Sequence, residues 1–249
     1  MRIVTARLRR YAIPLRDVFA TSRGSLSRRE GVIVELVDSE GRTGLGDVAP
    51  LPGFSPEGLA DAETAASRLC AGLRELEFDD HRTCLGEVLD RLPALRGCPA
   101  STRCGLDTAL ADLAAQAARR PLARLLGDDA AGAVAYNTVL PAGATRRDLE
   151  AACQPGIGIV KMKVGALAPE DDRRRIEALL DGLPPQVRLR LDANGAWNPQ
   201  QALTALAGLP ARRIEFVEEP LAPQHADALD DVHRRCGLAF ALDETVFDP

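Results

Sequence analysis

The sequence predicts an α/β protein in two parts: an antiparallel N-terminal region with helices, then strands and helices in alternation that build a parallel sheet. Three observations carry this reading. Residues 1–50 alternate apolar and polar side chains between turn signals. From about residue 133 short apolar runs alternate with helical segments, which is the grammar of βαβ units. Three of those runs end in an acid: VRLRLD at Asp192, IEFVE at Glu218 and LAFALD at Asp243, each about one βα unit after the last.

The elements follow in order. The opening MRIVTARLRRYAIPL alternates and lacks the continuous apolar core of a signal peptide, so it reads as a strand. Residues 32–37 form a strand, Asp38-Ser39-Glu40-Gly41 a turn and residues 43–48 a return strand. LPGFSPEG, at 51–58, is a loop rich in Pro and Gly. Residues 56–75 and 83–92 carry apolar residues at helical spacing. Ser101 is expected to cap a helix over 102–119 that ends before Pro121, with Leu106, Leu110, Leu113 and Ala117 on its apolar face. In the second part the strands are 133–140, 158–164, 187–192, 214–218 and 238–243. Helices lie near 145–152, 169–181, 199–207 and 224–235. Trp197 and Asn198 open the third of these helices and read as structural. Five such strands belong either to a doubly wound sheet or to a (β/α) barrel.

Composition narrows the partners. Of the 249 residues, 46% are hydrophobic and 27% charged, ordinary for a soluble globular protein with a sizeable core. The net charge of -5 speaks against a nucleic-acid partner. No apolar run approaches the roughly 20 residues of a membrane span. Cys70, Cys84, Cys98, Cys104, Cys153 and Cys236 show no CxxC and no zinc spacing. They read as free thiols of a cytoplasmic protein. His81, His225 and His233 are isolated, and isolated histidines are more often surface or core residues than catalysts.

One fact is sharper. Of 31 basic residues only two are lysines, Lys161 and Lys163. Arginine serves for surface charge but cannot give up its proton, so a chain that keeps two lysines two positions apart has a use for a titratable amine. Both lie on one face of the strand IGIVKMKVG, because strand side chains alternate. A single acid at a strand end is more often a helix cap or a surface charge. Three at one-unit spacing, one strand beyond paired lysines, point instead to a site at the C-terminal ends of the strands. Converging carboxylates need a neutralising cation, and hard oxygen ligands suit magnesium, with manganese as the alternative. Glu219 and Glu244 adjoin their acids and point the other way, so Glu219 reads as supporting or structural. Asn194 follows Asp192 in what can be a simple turn.

KMK in a strand, LDAN, FVEEP and ALDE resemble the motif series of the enolase superfamily, in its muconate-lactonizing subgroup. GDVAPLPGFSPE (46–57), KMKVG (161–165) and LRLDANGAW (189–197) resemble its o-succinylbenzoate synthases of menaquinone biosynthesis. The resemblance covers the whole chain and implies an α+β capping domain over residues 1–130, then a (β/α)7β barrel of which 131–249 hold about five strands. It implies Asp192, Glu218 and Asp243 as magnesium ligands and Lys163 as general acid/base. Lys161 would hold the substrate carboxylate and its enediolate, and Arg190 and Asn194 would support them. Loops at 21–27 and 51–55, with Ser22, Arg23, Gly24, Gly53 and Phe54, would face the substrate.

The implied reaction is a hydro-lyase's. A lysine takes a weakly acidic proton beside a carboxylate, and the same group can then protonate the leaving hydroxyl. To act as a base Lys163 must be neutral, a form favoured by the positive charge of Lys161, the metal and Arg190. The family also places a further lysine on the strand after Asp243, so this chain alone is expected to be inactive or incomplete, with open sheet edges that favour self-association or a complementing C-terminal fragment. The alternatives are an N-acylamino acid racemase or dipeptide epimerase of the same superfamily, and a non-catalytic fragment or half of a split enzyme.

Overall fold

The computed structural model describes residues 2–21, 24–74, 97–141, 144 and 146–247. The chain forms two compact units, Met1–Gly132 and Ala133–Pro249. No described helix is long and apolar enough to cross a membrane.

The first unit holds an antiparallel sheet in the order β1 (Ile3–Thr21), β2 (Gly24–Asp38), β3 (Thr43–Val48). Alternation works as expected. Val32, Val34 and Leu36 of β2 turn inward and pack with Leu69 and Leu73 of the helix Leu59–Leu73, and with Leu106, Leu110 and Leu113 of the helix Ala100–Ala117. Strand β3 buries Gly44, Gly46 and Val48 against the second helix. A Cβ at Gly46 would lie 1.8 Å from the carbonyl oxygen of Gly105, so strand and helix approach backbone to backbone.

Two expectations change here. The segment 21–27, expected as a loop, is largely a hairpin arm: Phe19 pairs with Leu26, Ala20 with Ser25 and Thr21 with Gly24. A long two-stranded ribbon satisfies its backbone by pairing, which a free loop could not. Ser101 is not the cap. The N-cap is Pro99, and the Ser101 hydroxyl donates to Glu57 Oε1 at 2.5 Å. The expected helix over 83–92, with His81 and Cys84, lies outside the described residues, as do Ser22 and Arg23.

Asp38 fixes the turn after β2. Its buried carboxylate accepts from the amides of Glu40 and Arg42 at 3.0 and 2.9 Å and from Arg42 Nε at 2.7 Å. Burial alone would push this acid up. The Arg42 guanidinium and the two amides outweigh it and hold the carboxyl below its usual range. A carboxyl depressed in the folded state contributes stability above its unfolded pKa of about 3.9, and that stability is lost as pH falls through the folded value. Asp38→Asn is therefore expected to flatten the decline of the urea midpoint below about pH 4; an acid limb as steep as in the parent would show that Asp38 is not a source of it.

The second unit holds five parallel strands in the order β4 (Thr138–Leu140), β5 (Ile159–Lys163), β6 (Arg188–Asp192), β7 (Ile214–Glu218), β8 (Phe240–Ala241). Crossover helices Arg146–Ala152, Pro169–Gly182, Pro199–Leu206 and Leu229–Cys236 connect them. Strictly sequential order is that of a barrel arc; a doubly wound sheet would reverse direction at a switch point. The architecture is thus an N-terminal antiparallel α+β unit and a partial (β/α) barrel. The outer strands are shorter than expected, with β4 starting only at Thr138 and β8 two residues long. The expected helix at 224–235 is a 3-10 turn, Pro223–Ala228, running into the α-helix.

Sheet parity divides the side chains. Val160, Met162, Leu189, Leu191 and Val217 join the core formed with Ile176, Leu180, Ala202, Leu206 and Val232. Lys161 pairs with Arg190 and Arg190 with Phe216; Lys163 pairs with Asp192 and Asp192 with Glu218. Strand β7 carries one surplus residue. Leu189 faces Ile214 but Arg190 faces Phe216, which leaves Glu215 as a bulge. Asn198 caps the following helix by accepting from the Gln201 amide at 2.9 Å, completed as a capping box by the Gln201 side chain.

Candidate active site

The ends of β5, β6 and β7 stand level, and their last inward residues are Lys163, Asp192 and Glu218. Lys161, one layer below, reaches up between the two acids. Its Nζ donates to both carboxylate oxygens of Glu218 at 2.9 and 2.8 Å and lies 2.9 Å from Asp192 Oδ2. Burial works to lower the Lys161 pKa. The hydrogen bonds to Glu218 and Asp192 and the charges of both acids outweigh it, and the ammonium is raised above its ordinary value. Lys161 is thereby held charged.

Lys163 is held more loosely. Its Nζ donates to Asn194 Oδ1 at 2.7 Å and lies 3.8 Å from Asp192 Oδ2, and the side chain is 40% exposed. Asn194 sits in the left-handed region at φ 46°. Its backbone amide donates to Asp192 Oδ1 at 3.1 Å, so one residue ties the lysine to the acid. Asp192 itself is buried.

The loop after β5 is fixed from below. Asp172, fully buried in the first turn of Pro169–Gly182, accepts from the Gly165 amide at 2.7 Å and from Arg175 at 3.0 Å. The sequence signal for Asp172 was the acid-rich opening PEDD of that helix, which reads as an ordinary N-terminal preference. Gly165, at φ 88°, packs so tightly on the β6 loop that a Cβ would fall 2.5 Å from Ala196 Cβ.

Arg190 shares the inward face, as expected, but its guanidinium does not serve the lysine pair. It donates to Glu215 Oε2 at 3.0 Å and Asn137 Oδ1 at 3.0 Å and lies 4.4 Å over the Phe216 ring. The bulge supplies the reason, because it turns Glu215 toward the arginine. Asp243 is also not brought into the cluster. Among the described residues no group of three His, Cys, Asp or Glu side chains is gathered closely enough to hold a metal. Strand β8 stops at Ala241, opposite Glu218, and Asp243 follows two residues later in an exposed bend. Gly53 and Phe54 belong to a turn of the first unit, in which the Phe54 amide donates to Leu51 O at 3.0 Å.

Two of the three expected carboxylates are gathered, and their oxygen chemistry is of the kind a hard divalent cation takes. Asp192 and Glu218 place carboxylate oxygens within 2.9 Å of one point, the Lys161 nitrogen, and Asp243 follows the neighbouring strand.

Residues 144–249 match the enolase C-terminal domain-like family, and residues 3–87 match the family described as MenC, N-terminal domain. The chain is 32% identical to the o-succinylbenzoate synthase of Thermosynechococcus vestitus, over 95% of this chain and 67% of that protein. It is 28% identical to a hydrophobic dipeptide epimerase of Enterococcus faecalis, over 100% of this chain and 69% of the relative. Among solved structures, the E. faecalis dipeptide epimerase complexed with Mg and L-Leu-L-Tyr superposes with a TM-score of 0.85 at 25% identity, covering 100% of this chain and 69% of that one. An o-succinylbenzoate synthase from Thermosynechococcus elongatus with Mg in its active site gives a TM-score of 0.67 at 29% identity, over 96% and 68%. The chain thus spans about two thirds of the length of these relatives.

Proposed function

The chain belongs to the enolase superfamily, and from that premise we propose that it serves magnesium-dependent proton abstraction beside a carboxylate, as an o-succinylbenzoate synthase. The observation that carries the choice is the match of residues 3–87 to the MenC N-terminal domain, together with the 32% identity to a synthase of that name.

In this reading Asp192, Glu218 and Asp243 hold the metal, which when bound supplies positive charge where the substrate's carboxylate gathers electrons. Lys163 removes the proton from the adjacent carbon and returns it to the departing hydroxyl, so that water leaves. Its looser tether and greater exposure suit a group that must lose and regain a proton, and Asn194 orients it. Lys161, held as an ammonium, is suited to stabilising an oxyanion and poorly suited to being the base.

A second reading, dipeptide epimerase, is favoured by the 0.85 superposition. Calorimetry separates the two. With magnesium present, o-succinylbenzoate is expected to bind at least tenfold more tightly than a hydrophobic dipeptide, with the preference vanishing in chelator. The reverse order would replace the synthase reading by the epimerase one.

A further inference from the structure

Glu219 follows the last acid of β7, is 2% exposed and has a left-handed backbone at φ 40°. A non-glycine residue keeps that conformation only where its surroundings enforce it. Here two neighbouring segments do so, the loop after β6 and the end of β8 with the turn that follows it. The Glu219 amide donates to Ala241 O at 2.9 Å, and its carbonyl accepts from the Gly195 amide at 2.7 Å. Its side chain crosses to the segment after β8. Oε1 accepts from the amides of Asp243 at 2.6 Å and Thr245 at 3.2 Å, and Oε2 from the Thr245 hydroxyl at 2.7 Å. One residue thus joins the loop that follows Asp192, the end of β7 beside Glu218 and the turn that bears Asp243.

We infer that Glu219 is a positioning residue that ties the backbone at Asp243 to the ends of β6 and β7, and so tunes the affinity of the site for a divalent cation. The inference rests on the metal reading above. It follows from where the contacts fall. The Asp243 side chain stands in an exposed bend after a two-residue strand, and such a bend fixes a ligand only if its backbone is anchored. Two of the three side-chain contacts go to backbone amides at and beside Asp243. Residues that orient metal ligands in this way typically change affinity about 10- to 100-fold when removed.

The test compares Glu219→Ala, Glu219→Gln and Asp243→Ala in the 249-residue chain. Glutamine keeps an oxygen for both amides, and its amide nitrogen can donate to the Thr245 hydroxyl. In metal-free protein, amide hydrogen exchange at Asp243 and Thr245 is expected to quicken at least tenfold in Glu219→Ala and to stay near parental in Glu219→Gln. Magnesium titrated calorimetrically, well below the thermal midpoint of each variant, is expected to bind at least tenfold more weakly to Glu219→Ala and within threefold of parental to Glu219→Gln. Unchanged exchange in Glu219→Ala, or quickened exchange with unchanged magnesium affinity, overturns the inference. Parental magnesium affinity in Asp243→Ala sinks the metal reading instead, and with it the tuning role, while the exchange data still report whether Glu219 anchors the turn.

Discussion

Lys163→Ala, in a chain whose parallel sheet is closed into a full barrel, is expected to lower the rate of α-proton abstraction by about 10²- to 10⁴-fold, the usual worth of a positioned general base. Lys163→Arg is expected to be as slow, because a guanidinium keeps the charge but cannot accept a proton at any pH a protein survives. The two lysines of the chain are not equivalent in this respect. Lys161 is clasped by three carboxylate oxygens and held charged. Lys163 has one 2.7 Å bond to a neutral amide oxygen and a longer approach to Asp192. The measurement is incorporation of solvent deuterium at the substrate's α-carbon, followed by NMR or mass. Parental exchange in the arginine variant would move the base elsewhere.

Glu218→Ala is expected to weaken magnesium binding at least tenfold, about 1.4 kcal/mol. Asp192→Ala should act in the same direction. Both acids already point at one locus, and removing either leaves the remaining carboxylate with the Lys161 ammonium as its nearest counter-charge. Hard divalent cations draw affinity from the count of anionic oxygens, so the loss of one carboxylate registers directly. Calorimetry of the purified chain reads it. Equal affinity in Glu218→Ala would strike that residue from the ligand set.

Much of this site was legible because strands keep a period of two. In IVKMK the lysines occupy alternate positions, and the face they share follows from that alone. The acid endings of β6 and β7 were visible as the last letters of apolar runs. What alternation could not reveal was anything fixed by tertiary contact. Read by period, Ile214, Phe216 and Glu218 share one face, yet Ile214 is buried with Val217 because of the bulge between them. The run before Asp243 looked like a full strand, and only pairing with β7 shows that two residues of it are. Glu219 was readable as a neighbour pointing away from the site. That it turns back to hold Asp243 depends on a left-handed backbone that sequence gives no reason to expect of a glutamate.

The surplus residue in β7 also makes the two halves of that strand independent in phase. Below Glu215 the strand is timed to the core through Ile214; above it, Phe216, Val217 and Glu218 are timed to β6. A change of chain length at position 215 is therefore absorbed where it occurs. Deleting Glu215 would leave Phe216, Val217 and Glu218 opposite the partners they have now and would cost the contacts made by Arg190. Deleting Val217, two positions on, would advance every later residue by one step and present Glu219 where Glu218 stands. Length variation in this strand thus leaves the acid in place at one position and displaces it at another, a difference decided by counting residues rather than by their chemistry.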